Sequence, residues 1–205
     1  MKPFFILIFS CVSLFGFGQR VADVFKTMPG DILPGFTEAD KTLILVDTGL
    51  KIIPYPLGNI ERMKYSDSYL QLKTSDIGTF QLKLLPLVNN TKIICVIKTV
   101  CGKACDSDIR FYSTQWEKID ENTLLPPVSA ESFFDRQKQG SNEYEYALSL
   151  LDVEPLSAVF SDDSDDLILS LNYEAYLSEE NIAKIKPFIK QDFITLHWTK
   201  TSFRP

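Results

Sequence analysis

The chain holds one histidine, His197, among 205 residues, and that scarcity removes most hydrolytic chemistry at once. A serine- or cysteine-type hydrolase needs a base beside its nucleophile, and His197 alternates with apolar neighbours next to Trp198, the setting of an imidazole with a structural role. Cysteine is scarce as well, at four residues. One histidine with Cys101 and Cys105 makes a poor zinc set, because the Cys-x-x-x-Cys spacing is loose and a bridge would consume both sulfurs. Thiol-disulfide exchange relies on Cys-x-x-Cys at a helix start, where the dipole lowers the thiol pKa, whereas this pair flanks a loop between strands. Glycine-rich phosphate loops are missing, and no cofactor is expected. No basic run offers itself to phosphates, which excludes nucleic acid as a partner. No apolar stretch reaches the roughly 20 residues that span a bilayer, so no transmembrane helix is expected.

What the chain does have begins at its first residue. Met1 and Lys2 form a short positive start, Phe4 to Phe17 is apolar apart from Ser10, Ser13 and Gly16, and Gly16-Phe17-Gly18 supplies small-x-small cleavage residues. Residues 1–18 therefore read as a signal peptide, with a mature chain starting at Gln19 that is periplasmic or secreted. A second reading takes Ile8-Phe9-Ser10-Cys11 as a lipidation signal and anchors the chain at Cys11. Phe9 stands where a small residue is wanted, and the apolar run continues past Cys11 through Phe15, which favours cleavage before Gln19.

Removing 18 of the 205 residues leaves 187, the size of one ordinary domain, here 19–205. It also removes one of 21 basic residues and none of 27 acidic ones, leaving a formal charge of −7. With 45% hydrophobic and 12% aromatic residues the chain has material for a packed core. Among Cys95, Cys101 and Cys105, the pair able to bridge in an oxidising compartment is Cys101 with Cys105, around Gly102-Lys103-Ala104; three unlinked apolar cysteines are the alternative.

Periodicity orders the rest. Val21, Val24, Phe25 and Met28 fall at helical spacing before Pro29-Gly30, and Thr37 caps a second helix from Glu38 to about Asp47, although the run Leu43 to Val46 reads equally as strand. From Ile60 to Ile119 the period is two: Leu70 and Leu72, then Phe80, Leu82 and Leu84 alternating with Gln81 and Lys83, then the apolar run Ile93 to Val100, then Ile109 and Phe111, with Trp116 closing. Short connections make these strands antiparallel neighbours. Helical patterns return at Ala130 to Gln139 and Glu143 to Leu151. Leu156 to Phe160 and Leu167 to Tyr173 form a hairpin across Asp162-Asp163-Ser164-Asp165-Asp166. Ser178 caps a last helix that Pro187 ends, and Ile194, Leu196 and Trp198 alternate in a final strand.

Two acidic groups invite a functional reading. The Asp162 to Asp166 run lacks the glycine and distal glutamate of an EF-hand loop and reads as a solvated hairpin tip. Asp106-Ser107-Asp108 reads as side chains that bond nearby backbone amides and end a loop.

At Leu84-Leu85-Pro86, Ile97-Lys98-Thr99-Val100-Cys101, Asp106-Ser107-Asp108-Ile109-Arg110-Phe111-Tyr112 and Trp116, after Ala22-Asp23-Val24-Phe25-Lys26-Thr27-Met28-Pro29, the chain resembles a family of exported Bacteroidetes proteins, a domain of unknown function. The resemblance covers nearly the whole mature chain and implies a periplasmic or surface location in a Gram-negative organism. It implies no catalytic residue.

The fold expected is α+β, a mainly antiparallel sheet of about seven to nine strands with amphipathic helices packed on one face. The function expected is an exported, non-catalytic binding or assembly module of the cell envelope whose partner is an envelope protein or a glycan. The alternative is an exported hydrolase that uses carboxylates alone, since glycosidases need only two.

Overall fold

The structure is a computed structural model and describes residues 19–46, 52–56 and 58–205. The expected signal peptide with Cys11, and the expected end of the second helix near Asp47 to Gly49, lie outside the described residues. Seven strands follow one another as an antiparallel meander, β1 (Ile52–Tyr55), β2 (Gly58–Tyr65), β3 (Tyr69–Lys73), β4 (Gly78–Pro86), β5 (Lys92–Cys101), β6 (Cys105–Ser113) and β7 (Lys118–Ile119), and form one sheet in that order. Four later strands, β8 (Leu156–Phe160), β9 (Leu167–Leu171), β10 (Phe193–Trp198) and β11 (Phe203–Arg204), form a second antiparallel sheet.

This is an α+β fold whose strands divide between two sheets. The first sheet ends early because β7 is only two residues long, after which the chain leaves it through short 3-10 turns at Glu121–Thr123, Ala130–Phe133 and Arg136–Lys138. The segment expected to be helical from Ala130 to Gln139 is thus two such turns around Phe134, whose backbone instead bridges Ile189. Pro54 sits in β1, the outermost strand, where its missing N–H breaks no interior ladder.

Both faces of the large sheet are covered, and by different layers. Leu70, Leu72, Phe80, Leu82, Leu84, Ile94 and Val96 point to one side and pack with helix α1 (Val21–Lys26), helix α2 (Glu38–Leu45) and Ile32 to Phe36 between them. Alternation in β3, β4 and β5 places every second side chain there. Tyr69, Leu85, Ile93, Cys95, Ile97 and Phe111 point to the other side. They share a second core with Ala158, Phe160, Leu167, Leu169, Ile194, Leu196 and Phe203 of the small sheet and with Tyr144, Ala147 and Ile185 of helices α3 (Asn142–Ser149) and α4 (Glu179–Ile185).

Local chemistry fixes the helices. The Thr37 hydroxyl accepts from Asp40 N–H at 3.2 Å while Asp40 Oδ2 accepts from Thr37 N–H at 2.9 Å, a reciprocal cap. Ser141 and Ser178 cap α3 and α4, with Pro187 in the 3-10 turn that ends the latter. Lys41, fully buried in α2, donates to Met28 O and to Glu38, and Arg62 of β2 donates to Ile44 O at 2.9 Å near the end of the same helix. Each tryptophan joins two layers through its indole N–H: Trp116 donates to Val24 O of α1 at 3.2 Å, and Trp198 of β10 donates to Pro86 O of β4 at 2.7 Å.

Candidate functional site

Gln81 and Lys83 alternate with apolar residues along β4, which in the sequence marks a solvent face. They are instead 1% and 5% exposed, because the small sheet lies over them. The edge of β8 that does not pair with β9 presents its N–H groups to this face, and polar side chains of the large sheet satisfy them one by one. Asp106 Oδ1 accepts from Leu156 N at 3.1 Å, Ser107 Oγ from Ala158 N at 2.9 Å, and Gln81 Oε1 from Phe160 N at 3.2 Å. Gln81 Nε2 returns a bond to Ala158 O at 3.1 Å, and Tyr69 donates its hydroxyl to Gln81 Oε1 at 2.8 Å. Burial, followed by the Asp162 carboxylate, pushes the Tyr69 phenol well above its usual range and keeps it a donor.

The same seam clamps the β8–β9 loop. Lys83 Nζ donates to Ser164 O at 2.7 Å, lies 3.2 Å from Asp165 Oδ1, and sits over the Tyr69 and Phe160 rings at 5.4 and 5.6 Å. Lys64 pairs with Asp162 across the seam, and within the small sheet His197 Nδ1 of β10 lies 3.1 Å from Asp166 Oδ1. The aspartates expected as a solvated tip are therefore mostly held, with Asp163 left outward. A cleft of about 400 Å³ remains between Lys64, Tyr69 and Lys83 on one side and Asp162 to Asp165 on the other.

A larger cavity, about 570 Å³, opens at the end of β9, lined by Phe133, by Ser170 to Ala175 and by Lys186, Ile189, Gln191 and Asp192. Asn172 anchors its wall. The amide nitrogen of Asn172 faces four acceptors: Cys105 O at 2.8 Å, Ser157 Oγ at 3.0 Å, Ser170 O at 3.2 Å and Pro155 O at 3.3 Å. Glu174 Oε1 accepts from the Tyr173 hydroxyl at 3.4 Å and lies 3.5 Å from Lys186 Nζ. Burial, then the Glu174 carboxylate, pushes the Tyr173 phenol up to about 12.

The residues weighed in the sequence fall in separate places. Cys101 and Cys105 form a disulfide at the tip of the β5–β6 hairpin, 2.02 Å between sulfurs. Cys95 is a buried free thiol in β5, its pKa pushed up by burial. His197 has a carboxylate partner but, among the described residues, no hydroxyl or thiol bonded to it, and its side chain is 61% exposed. Asp106 and Ser107 do bond backbone amides, of a strand some fifty residues away instead of nearby. Among the described residues no group of three histidine, cysteine or acidic side chains is placed to hold a metal ion. The roles of Gln81, Lys83 and Asn172 are not readable from the sequence; its one signal is a polar stripe running through an otherwise very apolar set of strands.

The model of the family described as a protein of unknown function, DUF3256, matches residues 14–203. The chain belongs to the DUF3256 family. Its fold matches the solved structure of a domain of an uncharacterized protein from Porphyromonas gingivalis W83, with a TM-score of 0.80 and 22% identity over 91% of this chain and 98% of that one. That neighbour comes from a Bacteroidetes organism and at this identity speaks for the fold alone. No curated protein matches.

In this DUF3256 chain the chemistry thus separates into two kinds. The seam uses its amide, hydroxyl, ammonium and carboxylate groups to join the sheets. The cavity by Asn172 presents carboxylates, amides and a hydroxyl toward open space, with no nucleophile and base paired within it among the described residues. No helix of the described residues is long and apolar enough to cross a membrane.

Proposed function

We propose that the chain is an exported, non-catalytic binding or assembly module of the cell envelope, periplasmic or secreted after cleavage before Gln19, with an envelope protein or a glycan as its partner. One observation carries this reading: the polar groups best placed for chemistry, Gln81, Lys83 and Ser107, are spent on the seam between sheets, while the cavity of about 570 Å³ offers hydrogen-bonding groups and, among the described residues, no nucleophile paired with a base. A glycan array combined with an unbiased hydrolase screen tests it; binding without turnover is the expected result. Amino-terminal sequencing of protein from cell fractions tests the export step, with Gln19 expected first and no membrane retention that Cys11→Ala abolishes.

The alternative, a carboxylate-dependent exported hydrolase, draws on Glu174 and Asp192, which line the same cavity. Turnover abolished by a single change of either carboxylate to its amide would replace the binding reading.

A further inference from the structure

The cavity at the end of β9 has a pronounced imbalance of hydrogen-bonding groups. The amide nitrogen of Asn172 is surrounded by four acceptors, which fixes the orientation of that amide and leaves Oδ1 without a donor among the described residues. Glu174 uses only Oε1, toward Tyr173 and Lys186, and neither Oε2 nor the Asp192 carboxylate meets a donor among the described residues. Three side chains with unfilled acceptor oxygens therefore line one opening. The donors on the same wall are fewer, the Ser170 hydroxyl and the Gln191 amide, since Lys186 already faces Glu174. Leu171, Ala175 and Ile189 add an apolar strip to the lining.

A ligand that completes this wall brings several O–H donors, carries no negative charge, and has an apolar edge for the strip. Anions are repelled by the two carboxylates, and among the described residues no set of three metal-ligating groups converges. A volume of about 570 Å³ suits a small-molecule ligand. We propose that this cavity binds a neutral saccharide, with Asn172 Oδ1, Glu174 Oε2 and Asp192 accepting from ring hydroxyls and Gln191 and Ser170 donating back. The proposal rests on the binding reading above and names its ligand and its residues.

The test is titration calorimetry of the purified chain with the neutral oligosaccharides that score on a glycan array, beside acidic oligosaccharides of equal size. Neutral ligands are expected to bind and acidic ones not. Asp192→Asn, an isosteric change at an exposed position, and Ala175→Trp, which fills the opening, are each expected to weaken binding at least tenfold with unaltered melting temperature, whereas Lys64→Ala in the seam cleft leaves it unchanged. Glycan binding that survives both cavity variants moves the ligand to another surface and overturns this site while sparing the binding reading. Capture of an envelope protein with no glycan bound overturns the saccharide. Turnover of a bound glycan overturns both.

Discussion

Gln81 and Ala158, 77 residues apart, are joined by a side-chain amide that stands in for a strand: Nε2 donates to the Ala158 carbonyl at 3.1 Å while Oε1 accepts the N–H of Phe160 two residues on. An edge strand exposes a row of such groups, and proteins ordinarily pair, cover or charge them. Here Gln81, Ser107 and Asp106 cover them with side chains from the face of the other sheet. Two sheets that share no ladder are held at a fixed mutual position by directional bonds rather than by apolar contact alone.

Replacing Gln81 with leucine keeps the volume close and removes the three bonds that Gln81 makes. The Tyr69 hydroxyl, the Ala158 carbonyl and the Phe160 N–H are then buried without partners, each at about 1–3 kcal/mol. A total loss of about 3 kcal/mol or more is expected. Urea unfolding followed by circular dichroism reads it as a lowered midpoint with an unchanged slope. A loss below about 1 kcal/mol would mean the seam rests on apolar packing.

Lys83 and Asp165 predict an asymmetry between partners. Lys83 is 6% exposed in its side chain and Asp165 is 35%. Removing the negative charge with Asp165→Asn leaves a buried ammonium facing Ser164 O, a neutral amide and two rings, while Lys83→Met removes the buried charge and refills its space. Breaking a buried pair costs more than replacing its charged member by an apolar one. Thermal melts should therefore rank Asp165→Asn as the less stable variant. The reverse order would place the Lys83 charge in contact with water.

Much of the large sheet is legible in the sequence, and the limits of that legibility have physical causes. The alternation in β3 to β6 identifies the strands, their hairpin order and the two faces, since a period of two has only one geometric meaning. The caps Thr37 and Ser178 lie at their own helices. The period says nothing about which sheet a later strand joins, so β8 to β11 give no sign of forming a second layer. Gln81 and Lys83 look solvated because the partner that buries them is some eighty residues away. Tyr69 and Asn172 are silent for the same reason: their roles exist only after long-range docking. The candidate cavity is not legible at all, being assembled from Phe133, the end of β9 and the segment after α4.

Alkaline pH should loosen the fold through its buried phenols. Tyr173 has a folded pKa of about 12 against an unfolded value of about 10, so the fold keeps a proton that the unfolded chain has released. The stability this contributes is whole below about pH 10 and disappears as pH rises toward 12. Tyr69 moves in the same direction. Melting temperatures recorded from pH 8 to 12 should fall more gently beyond pH 10 in Tyr173→Phe than in the parent. Parallel curves would show that the Tyr173 hydroxyl is already hydrated in the fold.

The thiols give the sharpest chemical signature. Cys95 is fully buried with its pKa pushed up, so it should resist alkylation in the native state, because the thiolate is the reactive form. In protein starting at Gln19, native alkylation should label nothing, denaturation should expose one thiol, and denaturation with reduction should expose three, read by intact mass. The bridge spans a separation of only 4 residues, and a loop that short constrains about 2 kcal/mol of unfolded-chain entropy. Cys101→Ser with Cys105→Ser should accordingly lower the melting temperature by several degrees and leave the sheet intact. The hairpin tip also presents Cys105 O to Asn172, so the same double variant should lose part of any ligand affinity at the neighbouring cavity. Unaltered affinity in a destabilised variant would show that the four acceptors around Asn172 are redundant and that the disulfide serves the hairpin alone.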